Sequence, residues 1–266
     1  MSILPQIIYE DNHIFVVIKQ QGVPSQPDSS GDADLLSALK QHRKVAEDKA
    51  GEAFVGLVHR LDRVTGGVMV FAKTSKAAAR LAEQMQGGHF EKRYLCVVRG
   101  APKQNVGSLE HYLLKNENKN IVEVVGLAVT GAKRAELSYR VLSTIVWQQA
   151  VSDVGTGSAC EKVRDCPNAK ISLVEVELLT GRSHQIRAQL ANIGHELIGD
   201  RKYGSTRYGI MTGITSQHLA LWAYSLSFVH PTTGERMKFV VNPPEVQPWV
   251  SFDFNRKEHK HRGGVV

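Results

Sequence analysis

The chain has 266 residues, of which 42% are hydrophobic and 22% are charged, and these values are ordinary for a globular protein with a sizeable core. No run approaches the roughly 18 apolar residues of a membrane helix, no basic leader opens the chain, and three scattered cysteines argue against a disulfide scaffold, so we expect a cytoplasmic protein without a membrane anchor. Lysine and arginine number 33 against 26 acidic residues, and the net charge of +7 favours a polyanionic partner such as nucleic acid.

The first part of the chain predicts strands and helices in irregular order. Two short β-type runs lie on either side of Asp11-Asn12, and residues 35–45 have the apolar spacing of a helix. Residues 46–53 are charged and predict a loop. Apolar segments before and after residues 59–67 predict two further strands that flank this polar segment.

The middle of the chain continues this mixture. Ser75 is placed to cap a helix over residues 76–86, which Gly87-Gly88 would end. Residues 91–100 predict a strand that contains Tyr94, and residues 133–147 predict another.

The last part of the chain begins with a polar stretch, 149–169, which predicts an exposed hairpin loop. The alternation in residues 171–179 predicts a half-buried strand. Ser183 is placed to cap a helix that begins at His184, and the Pro-Thr-Thr-Gly sequence at 231–234 predicts the turn of a C-terminal hairpin.

These elements do not alternate regularly as β-α-β units. They predict an α+β fold, in which a single domain over residues 1–250 contains a mixed, largely antiparallel sheet flanked by helices and loops. Residues 251–266 are basic and polar, and we expect a flexible tail there.

Asp62 stands between Arg60 and Arg63 in the segment His-Arg-Leu-Asp-Arg-Val-Thr-Gly-Gly, residues 59–67. In an extended segment, residues i and i−2 share a face, so Arg60 would lie beside the carboxylate. A cation at that position keeps a carboxylate ionised and nucleophilic. The residues alone also allow an aspartate that forms a salt bridge and stabilises a turn.

Basic residues cluster in the segment 178–204. The helix predicted there has its apolar stripe at Ile186, Leu190 and Ile193, so Arg187 falls on a different face, available to a cleft or a partner. Residues 180–183 form the helix entrance, where backbone N–H groups attract an anion. Together with Arg182, Arg201 and Lys202, this segment suits phosphates, and a solvated helix face is the alternative.

Tyr94 lies on its strand beside Lys92 and Arg93. An aromatic ring beside basic residues is typical of a site that stacks a nucleobase, and a core tyrosine is the other interpretation.

Motifs for other chemistries are absent from the sequence. His59 and His184 lack a third ligand at zinc spacing, and the chain has neither a Walker loop nor a Gly-x-Gly-x-x-Gly sequence. No Gly-x-Ser-x-Gly elbow marks a hydrolase. We therefore expect no metal and no small-molecule cofactor.

Three segments, in this order, resemble the motifs of the RluA family of RNA pseudouridine synthases. Residues 59–67 are similar to that family's His-Arg-Leu-Asp-x-x-Thr-Ser-Gly motif, and residues 92–100 to its Lys-x-Tyr segment. Residues 180–204 are similar to its Thr-Gly-Arg-Thr/Ser-His-Gln-Ile-Arg run with the Gly-Asp-x-x-Tyr-Gly follow-on. The resemblance extends from residue 7 to about residue 245. It implies the pseudouridine synthase catalytic fold, without the separate N-terminal RNA-binding domain of many relatives.

Three positions depart from the family pattern. Gly66 stands where the motif usually has serine, Glu196 where the follow-on usually has proline, and Trp222 where a histidine often precedes Ala223. We expect these departures to alter RNA contacts more than the chemistry.

The resemblance implies an isomerase that converts uridine to pseudouridine in structured RNA, with ribosomal RNA favoured over transfer RNA. The uridine must leave its stack, and this requires a basic surface and a base pocket. Asp62 carries over as the catalytic carboxylate, and Tyr94 as the residue that stacks the base and can take a proton. Arg187 carries over as the partner of Asp62, with Arg182 as the rival.

The remaining site residues implied by the resemblance would bind the RNA substrate: Arg60, Arg63, Arg182, His184 and Lys202. RNA is the expected partner, and the chain is expected to act as a monomer. Two other functions stay open on the residues alone. One is a catalytically silent RNA-binding protein or RNA-folding helper on the same scaffold, and the other is a hydrolase that uses His59 and Asp62 as an acid–base pair.

Overall fold

The computed structural model describes residues 4–48, 50–147, 170–204 and 218–254. The elements in this part of the chain are, in order, β1 (Gln6–Glu10), β2 (Ile14–Lys19), α1 (Leu35–Ala46), β3 (Gly56–Leu57), β4 (Gly66–Ala72), α2 (Ser75–Gln86), β5 (Glu91–Arg99), β6 (Val106–Asn116), β7 (Ile121–Val125), β8 (Lys133–Val146), β9 (Lys170–Leu178), α3 (Gln185–Asn192), β10 (Leu221–Val229), β11 (Arg236–Val240) and a short 3-10 helix (Trp249–Ser251).

The strands and helices confirm the predicted α+β class with a mixed, largely antiparallel sheet. The described residues divide into two compact units. The first unit contains residues 4–94 and 222–243, and β5 passes from it to the second unit after Tyr94. The single catalytic domain over 1–250 stays a prediction. The predicted loop at 149–169 and most of the predicted tail lie outside the described residues.

The first unit is built around β4, all seven residues of which are buried. β2 pairs with β4 antiparallel, from Ile14 opposite Ala72 to Lys19 opposite Gly67. On its other side β4 pairs with β10 in parallel. β1 pairs antiparallel with β2, and β11 pairs antiparallel with β10. A strand buried on both faces is expected at the centre of a sheet. The polar segment 59–65 therefore leads directly into the centre of the sheet.

The two helices of the first unit begin one residue before or at the predicted position. α1 has Asp34 as its N-cap, and the Asp34 side chain accepts a hydrogen bond from the Ser37 N–H. The N-cap of α2 is Thr74, whose hydroxyl accepts the Ala77 N–H at 3.1 Å. The prediction that Ser75 caps α2 is therefore wrong by one residue, because Thr74 has the extended backbone that a cap requires.

The second unit has β5, β9, β8, β6 and β7 as its strand order. β8 is the long strand, and it pairs antiparallel with both β6 and β9. The sequence analysis assigned β8 and β9 but made no assignment for β6 and β7. α3 packs against β7 and β6 through a small cluster that contains Leu113, Val122, Ala135 and Ala188.

The start of α3 differs from the prediction. Ser183 is not the cap; the N-cap position is His184, which has a left-handed backbone (φ 49°) and makes no side-chain capping bond. Gln185 takes over this role, since its Oε1 accepts the Arg182 N–H at 2.9 Å and the Thr180 hydroxyl at 2.8 Å. At least one N–H of the predicted anion-binding entrance is therefore already occupied.

The alternative of a solvated helix face does not hold for α3 between Gln185 and Leu190, because all six residues there are buried. The helix buries Arg187 together with its apolar stripe, and a buried guanidinium requires an acidic partner. None of the helices in the described part of the chain has the length and apolarity needed to span a membrane.

Candidate active site

Asp62 lies in a tight turn directly before β4, and its neighbours fix the backbone on both sides. On the N-terminal side, the Ser25 hydroxyl donates to the Leu61 carbonyl at 2.8 Å and accepts the Leu61 N–H at 3.2 Å. On the C-terminal side, the Thr65 N–H donates to the Asp62 carbonyl at 2.9 Å. Asp62 is half-buried. Contacts from Ser25 and Thr65 therefore fix the backbone on both sides of the Asp62 carboxylate.

The side chain of Lys19, at the end of β2, binds backbone carbonyls of the same turn. Its ammonium donates to the carbonyls of Thr65 at 2.7 Å, Arg63 at 3.1 Å and Gln20 at 3.1 Å. The residue is fully buried, and burial lowers the pKa of Lys19 to about 7, against the opposing effect of the nearby Asp62 carboxylate. Lys19 is thus a basic group beside Asp62 in the first unit, and sequence reasoning had not considered it.

The two arginines that flank Asp62 in sequence are both exposed. Arg63 pairs with Asp32 and donates its Nε to the Gly22 carbonyl at 3.0 Å, and Asp28 lies 3.9 Å away. Arg63 therefore ties the loop of residues 22–32 to the Asp62 turn. Its two carboxylate partners weaken the case for Arg63 as a phosphate ligand. The roles of Arg60 and Arg63 in RNA binding stay predictions.

Tyr94 is 6% exposed near the middle of β5, where residues 94–98 are all buried. Burial raises the pKa of the Tyr94 hydroxyl well above its ordinary value, and the negative charge of Asp62 raises it further. The phenol is therefore protonated at neutral pH and close enough to Asp62 to be affected by its charge. A phenol that stays protonated cannot itself take up a proton, and its raised pKa also makes it a weak acid, which favours stacking or hydrogen-bond donation by Tyr94 over proton transfer.

His59 is buried and neutral. Its Nε2 accepts the Val70 N–H at 3.2 Å, and its ring meets Phe90 edge-on at 5.5 Å. Burial lowers the pKa of His59 to about 3, and the nearby Lys92 adds to this. Because the basic nitrogen of His59 is bonded to the backbone, the residue is not available as the base of a hydrolytic pair with Asp62. This removes the structural basis of the hydrolase alternative.

In the second unit, Arg187 and Asp200 form a buried, bidentate ion pair. Arg187 Nε and Nη2 donate to the two oxygens of Asp200, both at 2.7 Å. Burial alone would raise the pKa of Asp200, but the hydrogen bonds and charge of Arg187, with the N–H groups of Tyr203 and Lys202, lower it. The Asp200 carboxylate is therefore ionised, and it holds the guanidinium plane in one orientation.

Tyr203 completes this arrangement. The Arg187 guanidinium lies 5.0 Å from the centre of the Tyr203 ring, a cation–π distance. The Tyr203 hydroxyl accepts the Val122 N–H at 2.7 Å and lies 2.8 Å from His184 Nδ1. One tyrosine thus fixes the position of Arg187 and orients His184, whose left-handed backbone is a strained conformation for a non-glycine residue.

The other predicted RNA ligands of the second unit have backbone partners. Arg182 is exposed, and its Nε donates to the Arg134 carbonyl at 3.0 Å. Lys202 is exposed, and its ammonium donates to the Asn120 carbonyl at 2.7 Å. Their roles, and the pairing of Arg187 with Asp62, stay predictions.

Sequence reasoning missed three residues that hold these groups: Lys19, Asp200 and Tyr203. A signal existed for two of them, since Asp200 and Tyr203 belong to the Gly-Asp-x-x-Tyr-Gly sequence that carried part of the resemblance. Within the described ranges no cluster of three or more His, Cys, Asp or Glu side chains could hold a metal ion.

Comparison with known proteins agrees with the motifs. The sequence model of the RNA pseudouridylate synthase family matches residues 13–192. Ribosomal large subunit pseudouridine synthase D of Zymomonas mobilis is 31% identical over 248 residues, which are 90% of this chain and 69% of that protein. An uncharacterized RNA pseudouridine synthase of Aquifex aeolicus is 35% identical over the same shares of the two chains. Ribosomal large subunit pseudouridine synthase C of Escherichia coli K12 is 31% identical over 87% of this chain and 64% of that protein.

The chain therefore belongs to the RNA pseudouridylate synthase family and is of the RluA type that its motifs predicted. It is an isomerase that forms pseudouridine in RNA. The fold agrees with that of human RNA pseudouridylate synthase domain containing 1, with a TM-score of 0.66 and 20% identity over 91% of this chain and 84% of that chain. Human RNA pseudouridylate synthase domain containing 4 gives the same TM-score at 22% identity, over 90% and 88% of the two chains.

Proposed function

We propose that the protein isomerises uridine in ribosomal RNA, in preference to transfer RNA, with Asp62 as the catalytic carboxylate acting on a uridine that has flipped out of its stack. The printed names of the Zymomonas and Escherichia relatives, both ribosomal large subunit enzymes, support the choice of RNA. The net charge of +7 supports binding to a polyanion such as RNA. A base buried in a helix is out of reach of any side chain, which supports flipping.

The observation that carries the role of Asp62 is the way its turn is held. Ser25 and Lys19 bind backbone atoms on both sides of Asp62, so the carboxylate is positioned before substrate arrives. Preorganised charge of this kind lowers a barrier without the cost of reorganisation during the reaction. The charge of Asp62 contributes to the raised pKa of Tyr94, so the Tyr94 phenol is protonated and interacts electrostatically with the same carboxylate.

The reaction needs only bond exchange within one nucleotide. The bond from nitrogen 1 to carbon 1′ breaks, the uracil turns, and carbon 5 forms the new bond to carbon 1′. Carbon 5 loses a proton and nitrogen 1 gains one, so the atoms balance without an oxidant or reductant. A carboxylate at position 62 serves attack on carbon 1′, attack on the uracil ring, or assistance to elimination.

We propose the following roles for the remaining site residues. Tyr94 stacks the uracil, and its hydroxyl is a hydrogen-bond donor. Arg187 is a further catalytic residue, with its guanidinium already oriented by Asp200. The proposed substrate-binding residues are Arg60, Arg63, Arg182, His184 and Lys202. We propose a cytoplasmic monomer whose catalytic domain extends over residues 1–250.

The test uses unmodified large-subunit ribosomal RNA and transfer RNA made by transcription, with chemical mapping of pseudouridine. We expect the wild type to modify the ribosomal RNA and leave the transfer RNA unmodified. Asp62→Asn should reduce the rate at least about 10⁴-fold while the Kd for RNA stays within about threefold, because only the charge is removed. The control is Asp48→Asn, the same change at an exposed, left-handed position of the first unit, and it should react normally.

A normal yield of pseudouridine from Asp62→Asn would rule out the proposed role of Asp62. Modification of the transfer RNA alone would overturn the proposed preference for ribosomal RNA. Tyr94→Phe keeps the ring and removes the hydroxyl, so it should bind RNA normally and react slowly. Turnover of Tyr94→Phe at the wild-type rate would show that the hydroxyl has no role.

A further inference from the structure

Two of the three departures from the family motifs, Gly66 and Trp222, lie against each other. Gly66 is the first residue of β4, and Trp222 is opposite it in the parallel register of β10. A Cβ atom added to Gly66 would lie 2.8 Å from Trp222 Cε3, closer still to Trp222 Cζ3, and 2.9 Å from Gln21 Cγ. Real Cβ atoms do not approach carbon this closely, so the tryptophan ring occupies the space of a side chain at position 66.

The backbone of Gly66 does not itself require glycine. Its φ is not among the positive values found at the described glycines, in contrast to the neighbouring Gly67, whose φ is 123°. At Gly67 an added Cβ would meet the backbone of Ala223. Gly67 is therefore fixed by its conformation and by main-chain contact, whereas Gly66 is required by one neighbouring ring and one flexible glutamine.

The Trp222 ring is firmly held. The residue is 6% exposed, and its Nε1 donates to the Val241 carbonyl at 2.9 Å. Moving the ring away from position 66 would break this partly buried hydrogen bond, so the ring does not yield freely. A side chain at position 66 would therefore press on the start of β4 as well as on the ring.

Displacement of β4 at Gly66 would act on the turn that carries Asp62. Thr65 directly precedes Gly66, and its N–H and carbonyl bind the Asp62 carbonyl and the Lys19 ammonium respectively. Both contacts are made within the first unit and depend on where β4 starts. The position of the Trp222 ring thus affects the position of Asp62 through Gly66 and Thr65.

We propose that Trp222 is a positioning residue for Asp62 that acts through Gly66, and that the glycine and the tryptophan are a coupled pair. Serine at position 66 is excluded while Trp222 is present and is accepted once position 222 is smaller. This inference rests on the proposed catalytic role of Asp62. It also explains the departure at Gly66 as the space that Trp222 needs.

The test is a double-mutant cycle with Gly66→Ser, Trp222→His and the combined variant. Three quantities are measured for each protein: the single-turnover rate of pseudouridine formation, the Kd for RNA and the urea midpoint. We expect Gly66→Ser to lower the rate about 100-fold, since a misplacement near 1 Å has an effect of this size. Trp222→His should lower it about tenfold. The combined variant should react at least about tenfold faster than Gly66→Ser.

The Kd for RNA should stay within about threefold of the wild type in all three variants. If Gly66 and Trp222 only stabilised the fold, the variants would have a lower urea midpoint, and the rate would not fall while the Kd for RNA stays unchanged. Gly66→Ala repeats the test without a hydroxyl and should resemble Gly66→Ser. If Gly66→Ser does not fold, the combined variant must fold and react at least as fast as Trp222→His.

Two outcomes would overturn the inference: a wild-type rate for Gly66→Ser, or rate losses that multiply in the combined variant, as they do for independent sites. Failure of the proposed function is seen separately, in an active Asp62→Asn. In that case the urea midpoints still report whether Gly66 and Trp222 are coupled. An inactive Asp62→Asn with multiplicative losses in the cycle would leave the role of Asp62 intact and remove only the role of Trp222.

Discussion

The Asp62 turn and the Arg187–Asp200 pair hold a charged group in place by different means. At the turn, the contacts run from Ser25 and Lys19 to main-chain atoms around Asp62. At Arg187, they run from one side chain to another, in a pair whose side chains are 5% and 0% exposed. The first arrangement fixes a backbone, and the second fixes a guanidinium.

Because of this difference, we expect the Asp62 turn and the Arg187–Asp200 pair to contribute differently to catalysis and to stability. At the Asp62 turn, Ser25 and Lys19 bind main-chain atoms and not the Asp62 carboxylate, so these contacts persist when its charge is removed. The Arg187 and Asp200 side chains hold each other through two hydrogen bonds, and removal of one leaves a buried charge without its ion-pair partner. Substitutions at the turn should therefore affect the rate, and substitutions at the pair should affect the free energy of unfolding.

The largest effect is expected from Asp200→Ala. It leaves the buried Arg187 guanidinium without its two acceptors, and loss of one member of a buried ion pair typically costs about 3–5 kcal/mol. Urea denaturation measures this change. Glu110→Ala is the control, because Glu110 pairs with Arg134 on the surface of the same unit, where solvent screening makes the pair contribute little to stability. Equal losses for the two variants would contradict the distinction between buried and exposed pairs.

Lys19→Met tests the turn in the same way. Methionine keeps most of the volume of the side chain but removes a donor from the Thr65 carbonyl and leaves the Arg63 carbonyl with the Gly22 N–H. We expect a loss of about 1–3 kcal/mol, chiefly from the buried Thr65 carbonyl, and a rate about 100-fold lower because the Asp62 turn loosens. Lys44→Met, an exposed change in α1, should alter neither quantity. An unchanged rate with a lower urea midpoint would show that Lys19 supports the fold but not the geometry of Asp62.

His59 provides a pH test of the first unit. Its pKa is about 3 in the folded state, below its ordinary value of 6.5, so the unfolded chain binds the proton first as the pH falls. Stability from this residue is therefore complete above about pH 6.5 and decreases as the pH falls towards 3. At pH 4.5 the loss should be roughly 2–3 kcal/mol. His59→Gln should remove this part of the pH dependence, whereas the exposed His89→Gln should keep it; an unchanged profile in His59→Gln would contradict the assignment.

The sequence predicted the α+β class, the first two strands and the helices close to their observed bounds, because each has local apolar periodicity or a capping residue. It failed where the partner is distant in the chain. Lys19 is a single lysine in an apolar strand, and its burial is determined by carbonyls more than forty residues away. The space that Trp222 takes from Gly66 arises only from the pairing of β4 with β10.

Local sequence patterns also failed to predict the structure where a polar side chain has a role that another residue type usually has. α3 has no cap of the ordinary kind, since Gln185 binds the residues before it from inside the first turn. β6 alternates with little hydrophobic contrast, as the 66% exposure of Val106 illustrates, whereas the β-branched residues of β7 are a strand signal that the sequence analysis did not use. The arginines beside Asp62 were the obvious cations in sequence, but Arg63 pairs with Asp32 in the folded chain.

The smallest effect is expected from Tyr203→Phe, and it sharpens the comparison within the second unit. Phenylalanine keeps a ring beneath Arg187 but loses the hydroxyl that accepts the Val122 N–H and meets His184. We expect a loss of about 1 kcal/mol in urea denaturation, the usual size for one hydrogen bond. Tyr203→Leu removes the ring as well and should cost more, because it also removes the cation–π contact. If Tyr203→Phe costs as much as Asp200→Ala, then the hydroxyl, and not the carboxylate, is the main support of the Arg187 side chain.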